Sequence, residues 1–142
     1  MNQTILVPAA VLVLWSLVML LWVLATRFPA LARAGIDLSK SAPGGRGGDL
    51  DKVLPRSAVW PAHNYVHLME QPTLFYAAVG IIALAGAGHG LNTTLAWIYV
   101  GLRIVHSVWQ ATVNRIPVRF ALFFLSSLVL VALAVNALRA VL

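Results

Sequence analysis

Two long apolar stretches of this 142-residue sequence contain no charged residue, and they constrain the fold more than any other feature. Residues 5–25 form a run of 21 and residues 120–138 a run of 19. A helix needs about 20 mostly apolar residues to cross a hydrocarbon core about 30 Å thick. Each run is therefore long enough to span a membrane, which favours an all-α integral membrane bundle, since helices satisfy their own backbone hydrogen bonds in lipid.

Two further segments complete the predicted bundle. Residues 72–88 are apolar and extend backwards through a polar stretch that starts near residue 62. Residues 95–113 form a further segment, which Arg103 and His106 interrupt. We predict a single domain, residues 1–142, with a long first loop at 27–61 and four membrane helices at about 5–26, 62–88, 93–113 and 117–141.

Composition excludes several other classes of protein. Hydrophobic residues make up 61% of the chain and charged residues only 10%, against about 25% charged in a soluble domain. A soluble globular domain and a disordered chain are both incompatible with these values. The sequence has no cysteine, so it has no disulfide and no thiol nucleophile. His67 and His106, in a chain without cysteine, make only a weak set of metal ligands, and we expect no metal site.

The net charge of +6 would fit a nucleic-acid-binding protein, but its distribution argues for a membrane topology. Six of the ten basic residues lie in the loop 27–61, Arg115 lies in the third loop, and the second loop, around 86–92, has none. Basic loops remain in the cytoplasm, so we predict both termini outside it. We expect the bilayer, with its anionic lipid, to be the partner of these charges, and no nucleic acid.

The first apolar run has one feature of a cleaved signal peptide, because Ala32-Arg33-Ala34 resembles a cleavage site. No basic residue precedes the run, and it is longer than the roughly 7–15 residues of a signal-peptide core. We therefore expect a retained membrane helix.

A polar stripe follows the predicted third helix. An arginine such as Arg103 costs roughly 2.5–3.5 kcal/mol at a bilayer centre unless it faces the bundle interior, water or a partner. His106, Gln110 and Asn114 follow Arg103 at spacings of 3, 7 and 11 residues, which share one face of a helix. Tyr99, by contrast, fits an interfacial aromatic belt.

The second helix carries a matching stripe, formed by Asn64, His67, Glu70 and Gln71 just before Pro72. Glu70 is the only acidic residue outside the loop 27–61, so it is the natural counter-ion for Arg103 or Arg119. A Glu70–Arg103 pair with a purely structural role stays open as an alternative. Pro72 can kink the helix, and a kink beside polar residues opens a cavity.

The fourth helix is predicted to begin near Pro117, a favoured first-turn residue, which places Arg119 in its first turn. The unpaired N–H groups of a helix start carry partial positive charge. An arginine there can hold an anion or lower the pKa of a thiol. Arg115 lies four residues earlier, and snorkelling of both arginines to lipid headgroups is the alternative reading.

The segments 64–76 and 103–120, with Arg-x2-His followed by Arg-x-Pro-x-Arg, resemble the MAPEG family, the membrane-associated proteins in eicosanoid and glutathione metabolism. The likeness is to a bacterial-type member, which implies a multi-pass protein of the bacterial inner membrane. It further implies a homotrimer that binds glutathione as co-substrate between subunits near the cytoplasmic face. A lipophilic electrophile would enter from the bilayer.

The resemblance also implies residue roles. Arg119 matches the catalytic arginine that stabilises the glutathione thiolate, and Glu70 or His67 matches the acid of the family's second helix. The remaining matches are polar positions around glutathione or its support: Arg103, His106, Asn64, Arg115, Gln110 and, at the end of helix 1, Arg27. Two positions depart from the eukaryotic pattern, His63 in place of an arginine and Gln110 in place of a tyrosine.

The function that follows is a membrane-bound glutathione transferase, or a peroxidase acting on a lipid hydroperoxide. The departures at His63 and Gln110 leave open a non-catalytic lipid-binding or scaffold member of the same fold. A small proton-coupled exporter also fits the size and helix count, although such exporters usually place their acidic residue in helix 1, which here has none.

Overall fold

The computed structural model describes residues 4–142, so the first three residues of the predicted domain lie outside the description. Helices and loops account for all of these described residues, without a strand. Two 3-10 turns, Leu38–Lys40 and Gly47–Leu50, lie in the long loop. The prediction of an all-α bundle is confirmed, and its helices are α1 Leu6–Arg33, α2 Arg56–Leu68, α3 Gln71–Leu84, α4 Leu91–Thr112 and α5 Ile116–Val141.

Helix α1 runs seven residues further than the predicted end at 26, which shortens the loop to residues 34–55. Ile5, Leu12 and Met19, spaced by seven residues or about two helical turns, are fully buried against the other helices. The opposite face stays open, with Leu14 and Leu21 each 64% exposed. The helix therefore has one face for the bundle and one for an apolar environment.

The predicted continuous helix 62–88 is instead two helices, because α2 ends at Leu68 and α3 starts at Gln71. Pro72 lies in the first turn of α3, where its missing N–H removes no helical hydrogen bond. The break ends the regular hydrogen bonding of α2, and its last carbonyl groups accept from the turn instead, Val66 O from Met69 N over 2.9 Å and His67 O from Glu70 N over 3.4 Å. One of these carbonyls takes part in the site described below.

The loop 34–55 is organised by its own polar contacts. The Ser39 hydroxyl and main-chain N–H both donate to the Asp37 carboxylate, and these hydrogen bonds lower the pKa of Asp37. At the other end of the loop, Asp51 lies 2.6 Å from His63 Nε2 on α2. The loop is thereby held against the helical bundle.

Helix α4 lies at the centre of the bundle, in contact with α1, α2 and α5. Tyr99 is fully buried and stacks on Phe75 of α3 with ring centroids 4.4 Å apart, so the expectation that Tyr99 belongs to an interfacial belt was wrong. A short turn then leads into α5. Asn114 adopts a positive φ of 54° in that turn, a conformation that asparagine tolerates better than most residues.

Among the described helices, α1 and α5 are long and apolar enough to cross a membrane. Their outward side chains are largely apolar and open, as at Leu21 (64% exposed), Phe120 (63%) and Val131 (59%). Such continuous apolar exposure is unfavourable in water. The surface of the protomer is thus matched to lipid or to further copies of the chain.

Candidate functional site

The predicted polar stripe of α4 faces the bundle interior. Arg103 and Ser107 are fully buried, His106 is 1% exposed and Gln110 is 6% exposed. Asn64 of α2 is also fully buried, and its Nδ2 donates to Ser107 Oγ over 2.5 Å. We call these residues, Asn64 with Arg103 and Ser107, the inner seam, because they join α2 to α4.

The partner of Arg103 is a main-chain carbonyl. Its Nη2 donates to His67 O over 3.1 Å, in the last turn of α2, where the helix dipole favours a cation. The Glu70 carboxylate is hydrogen-bonded to the His67 ring instead, and no salt bridge joins it to Arg103 or Arg119 in the described chain. The expectation that Glu70 is the direct counter-ion of either arginine was wrong, because the helix break turns α2 carbonyls towards Arg103.

Several polar atoms buried between α2 and α4 make no hydrogen bond to another described residue. Within the part of the chain that is described, the buried atoms without a partner include Asn64 Oδ1, Arg103 Nε and Nη1, His106 Nε2 and Gln110 Oε1. Buried polar groups are nearly always satisfied by protein, water or ligand. The clustering of these atoms on two facing helices indicates that the interior polar region is completed by water or by a bound molecule.

Beside this interior lies an open chamber of about 200 Å³. Its wall combines one guanidinium, two imidazoles and three apolar side chains: Arg119, His67, His106, Ile116, Phe120 and Phe123. The rings of His67 and His106 are 5.0 Å apart between centroids, and His67 lies 5.5 Å from Phe123. We call this cavity the α5 chamber, since four of its six residues come from the start of α5.

Hydrogen bonds orient the polar groups of the α5 chamber. Arg119 Nη1 donates to Asn114 Oδ1 over 2.8 Å, so the turn before α5 positions the guanidinium. His67 Nδ1 lies 2.9 Å from Glu70 Oε2, and Arg103 holds the carbonyl of the same histidine. His67 therefore connects the chamber to both Glu70 and Arg103, although neither residue lines the chamber itself.

The remaining predicted site residues lie elsewhere. Arg115 precedes α5 and is exposed, and its carbonyl accepts from Trp109 Nε1. Arg27 lines a different cavity, between α1 and the loop 34–55. His63 faces the loop at Asp51, so its departure from the eukaryotic pattern does not change the wall of the α5 chamber.

Several residues of the site were missed by sequence reasoning. Ser107 follows Arg103 by four residues on the same helical face, so the spacing that defined the polar stripe could have included it. Phe120 and Phe123 lie three residues apart in an apolar helix, and nothing in the sequence distinguishes them from side chains that face lipid. Gln71 Nε2 donates to Ser127 Oγ over 2.7 Å and its Oε1 accepts from Tyr99 over 3.2 Å, a network that joins three helices and has no local sequence signal.

A second, apolar cavity runs between α3 and α5. It measures about 530 Å³ and is lined almost entirely by aliphatic side chains, with Gln71 and Ser127 as its polar residues. Its walls include Leu74, Ala78 and Val131. This groove offers an apolar ligand an extended surface on the outside of the bundle, since Leu74 and Val131 are 64% and 59% exposed.

The interior polar stripe, the helix break and the arginine at the start of the last helix lie between residues 64 and 119. The sequence model of the MAPEG family matches residues 5–139, nearly the whole chain. The chain belongs to the MAPEG family. It is accordingly a membrane protein with a helical bundle fold, in agreement with the two long apolar helices. Neither a curated protein nor a solved structure matches this MAPEG protein.

Proposed function

We propose that this MAPEG protein is a membrane-bound glutathione-dependent transferase or peroxidase, with Arg119 as its catalytic residue. The observation that carries the proposal is the α5 chamber, in which a guanidinium at a helix start shares a cavity with two imidazoles and a wall of phenylalanines. A cation in a partly apolar cavity favours the thiolate over the thiol. The same apolar wall suits a lipophilic second substrate.

The charged groups around the chamber fit the two ends of glutathione, which carries two carboxylates and one ammonium. The exposed Arg115 is available to a carboxylate, since arginine binds carboxylates in a bidentate manner. The Glu70 side chain is 62% exposed and offers a carboxylate to the ammonium. Glutathione supplies the nucleophilic sulfur, while Arg119 and the N–H groups at the start of α5 stabilise the negative charge.

The size of the chamber supports a site shared between subunits. At about 200 Å³ it is smaller than the roughly 300–1,000 Å³ of typical small-molecule sites, and glutathione needs further walls. A second copy of the chain would supply them, in a homotrimer as the family resemblance implies. Arg27 would reach glutathione only across such a subunit boundary, because it lies outside the chamber of its own protomer.

In the proposed transferase reaction, the thiol proton leaves to solvent and the sulfur forms a bond to an electrophilic carbon as the leaving group departs. In the peroxidase reaction, two glutathione molecules are oxidised to the disulfide while a hydroperoxide is reduced to an alcohol and water. Four membrane passes, with the loop 34–55 in the cytoplasm of a bacterial cell and both termini outside, would put the chamber on the side where glutathione is made.

Calorimetric titration of purified protein in detergent tests the assignment of Arg119. Glutathione should bind wild type more tightly than an analogue with a methyl group in place of the thiol, because only the thiol becomes an anion beside Arg119. In Arg119→Ala this preference should disappear, and conjugation of glutathione to an aromatic electrophile should fall about 100-fold at neutral pH.

Arg139→Ala provides the matched control, since it removes the same charge from the other end of α5 and should leave both measurements unchanged. A wild-type protein that does not bind glutathione at millimolar concentration would refute the proposal. Full preference for the thiol in Arg119→Ala would refute the role of the arginine alone.

Non-catalytic lipid binding is the second candidate function, and the apolar groove of about 530 Å³ between α3 and α5 favours it. Co-purified lipid in this groove, together with no reaction of glutathione with any electrophile or hydroperoxide, would support that function. Turnover of glutathione that depends on Arg119 would exclude it.

A further inference from the structure

One side chain in the wall of the α5 chamber is bonded to a carboxylate outside it. His67 Nδ1 lies 2.9 Å from Glu70 Oε2, and the two residues flank the break between α2 and α3. A carboxylate only accepts hydrogen bonds, so Nδ1 carries the proton and donates it to Glu70. The neutral ring then presents a lone pair at its other nitrogen, Nε2.

The Nε2 atom of His67 is accessible to a ligand. No hydrogen bond of the described residues uses this atom, yet it is absent from the buried atoms that lack a partner. It therefore keeps some open surface, and the α5 chamber is the cavity that this side chain, 24% exposed, lines. His106 Nε2 differs, because it is buried and its ring meets no carboxylate in the described chain.

Both the main chain and the ring of His67 are fixed by their neighbours. The carbonyl accepts from Arg103 Nη2 over 3.1 Å and from the main-chain N–H of Glu70 over 3.4 Å. The ring lies 5.0 Å from that of His106 and 5.5 Å from that of Phe123, measured between centroids. The direction of Nε2 is thus set before a ligand enters, as a group that transfers a proton requires.

We propose, on the basis of the proposed glutathione chemistry, that His67 is a second catalytic residue, which accepts the thiol proton and donates it to an oxygen leaving group. The preferred second substrate is then a lipophilic hydroperoxide or epoxide, and an organic halide is a poorer use of the site. Glu70 is the positioning residue. Its carboxylate fixes the ring and balances the charge of the imidazolium, as the acid of a catalytic triad does.

With a hydroperoxide, His67 Nε2 takes the thiol proton and the thiolate attacks the terminal oxygen. The S–O bond forms while the O–O bond breaks, and the imidazolium gives its proton to the departing alkoxide, which leaves as the alcohol. A second glutathione converts the sulfenic acid to the disulfide and water. With an epoxide, the sulfur bonds to carbon, the C–O bond breaks, and the same proton completes the hydroxyl group.

The leaving group decides how much this proton matters. An alkoxide is strongly basic, so a proton donor in the transition state accelerates its departure, typically by about 10²–10⁴-fold. A halide leaves as a stable anion and needs no proton. Arg119 serves both kinds of reaction because both need the thiolate, whereas His67 serves mainly the first.

A comparison of two second substrates tests the assignment, with purified protein in detergent at neutral pH and saturating glutathione. In His67→Gln, kcat/KM for cumene hydroperoxide should fall about 100-fold. Conjugation of 1-chloro-2,4-dinitrobenzene should fall far less, because the sulfur and Arg119 are untouched. Glu70→Gln keeps a hydrogen-bond acceptor but removes the charge, and it should lower the hydroperoxide rate about tenfold with the same selectivity. Arg119→Ala should lower both rates.

His63→Gln is the matched control. His63 also lies on α2, one turn earlier, and has its own carboxylate, Asp51, 2.6 Å from Nε2, but it lies outside the chamber. Both rates should therefore match wild type. The exposed side chain of Glu70 makes Glu70→Gln the decisive variant if His67→Gln does not fold.

Equal losses on the two substrates in Glu70→Gln and His67→Gln, or no loss on either, would overturn the role of His67. A wild-type protein that conjugates the chloro compound but turns over neither cumene hydroperoxide nor styrene oxide would overturn this inference and leave the proposed transferase standing. A wild-type protein without any turnover of glutathione would refute both.

Discussion

The inner seam and the α5 chamber each contain an arginine, yet the two arginines are used in different ways. Arg103 is fully buried and its guanidinium holds the end of α2 through the His67 carbonyl. Arg119 is held by Asn114 but still lines an open cavity. The family resemblance implies a place at or near glutathione for both arginines, whereas the structure separates a buried arginine that joins helices from an accessible one that can meet a ligand.

The first prediction concerns the seam. Arg103→Ala removes the hydrogen bond that the charged guanidinium donates to the His67 carbonyl, and it leaves a cavity in the centre of the bundle. We therefore expect the protein to lose about 3 kcal/mol of unfolding free energy. Thermal unfolding in detergent measures this loss. Arg103→Lys, which can still donate to the carbonyl, should lose less unfolding free energy. An unchanged unfolding midpoint in Arg103→Ala would show that Arg103 does not stabilise the contact between α2 and α4.

The second prediction concerns the chamber. In Arg119→Ala the thiol of bound glutathione loses its nearby cation, and its pKa should rise by about two units, which corresponds to about 2.7 kcal/mol. At neutral pH, kcat/KM should fall about 100-fold, and the rate should recover as the pH is raised towards the pKa of a free thiol. The unfolding midpoint should stay close to wild type.

A pH–rate profile measures this shift. Arg115→Ala serves as the contrast, because loss of a carboxylate contact should raise KM without moving the profile along the pH axis. If the profiles of Arg119→Ala and wild type rise over the same pH range, Arg119 does not stabilise the thiolate.

The third prediction returns to the seam at smaller magnitude. Asn64→Ala and Ser107→Ala each break the 2.5 Å hydrogen bond between α2 and α4, and each should cost about 1 kcal/mol of stability. The double variant should cost less than the sum, because both substitutions remove the same interaction. Additive losses would show that the two side chains act separately.

The smallest expected effect is at Glu70. Its carboxylate is 62% exposed where it meets His67, so Glu70→Gln should change stability by no more than about 0.5 kcal/mol. Glutathione binding should weaken about fivefold if the carboxylate meets the ammonium, as calorimetry would detect. Loss of proton-coupled efflux in this variant would instead favour the exporter alternative.

Some of the site could be read from spacing alone. Arg103, His106 and Gln110 share a helical face, and all three are buried in the structure. The partner of Arg103 could not be read in this way. It is the main-chain carbonyl of His67, near the break between α2 and α3. Every residue has a main-chain carbonyl, so the sequence does not show which one will accept a hydrogen bond from Arg103. The nearest carboxylate in the sequence, Glu70, was therefore a reasonable but incorrect choice.

What the sequence by itself determined is the class of the protein. Uncharged runs of about 20 residues make a soluble fold too costly, and the helical period assigns the polar residues of α4 to one face. The tertiary structure decided which of those polar groups remain available. Packing of α2 on α4 encloses Arg103 and Ser107, while the turn at Asn114 directs Arg119 into an open cavity, because access to a ligand depends on contacts between helices that are distant in the chain.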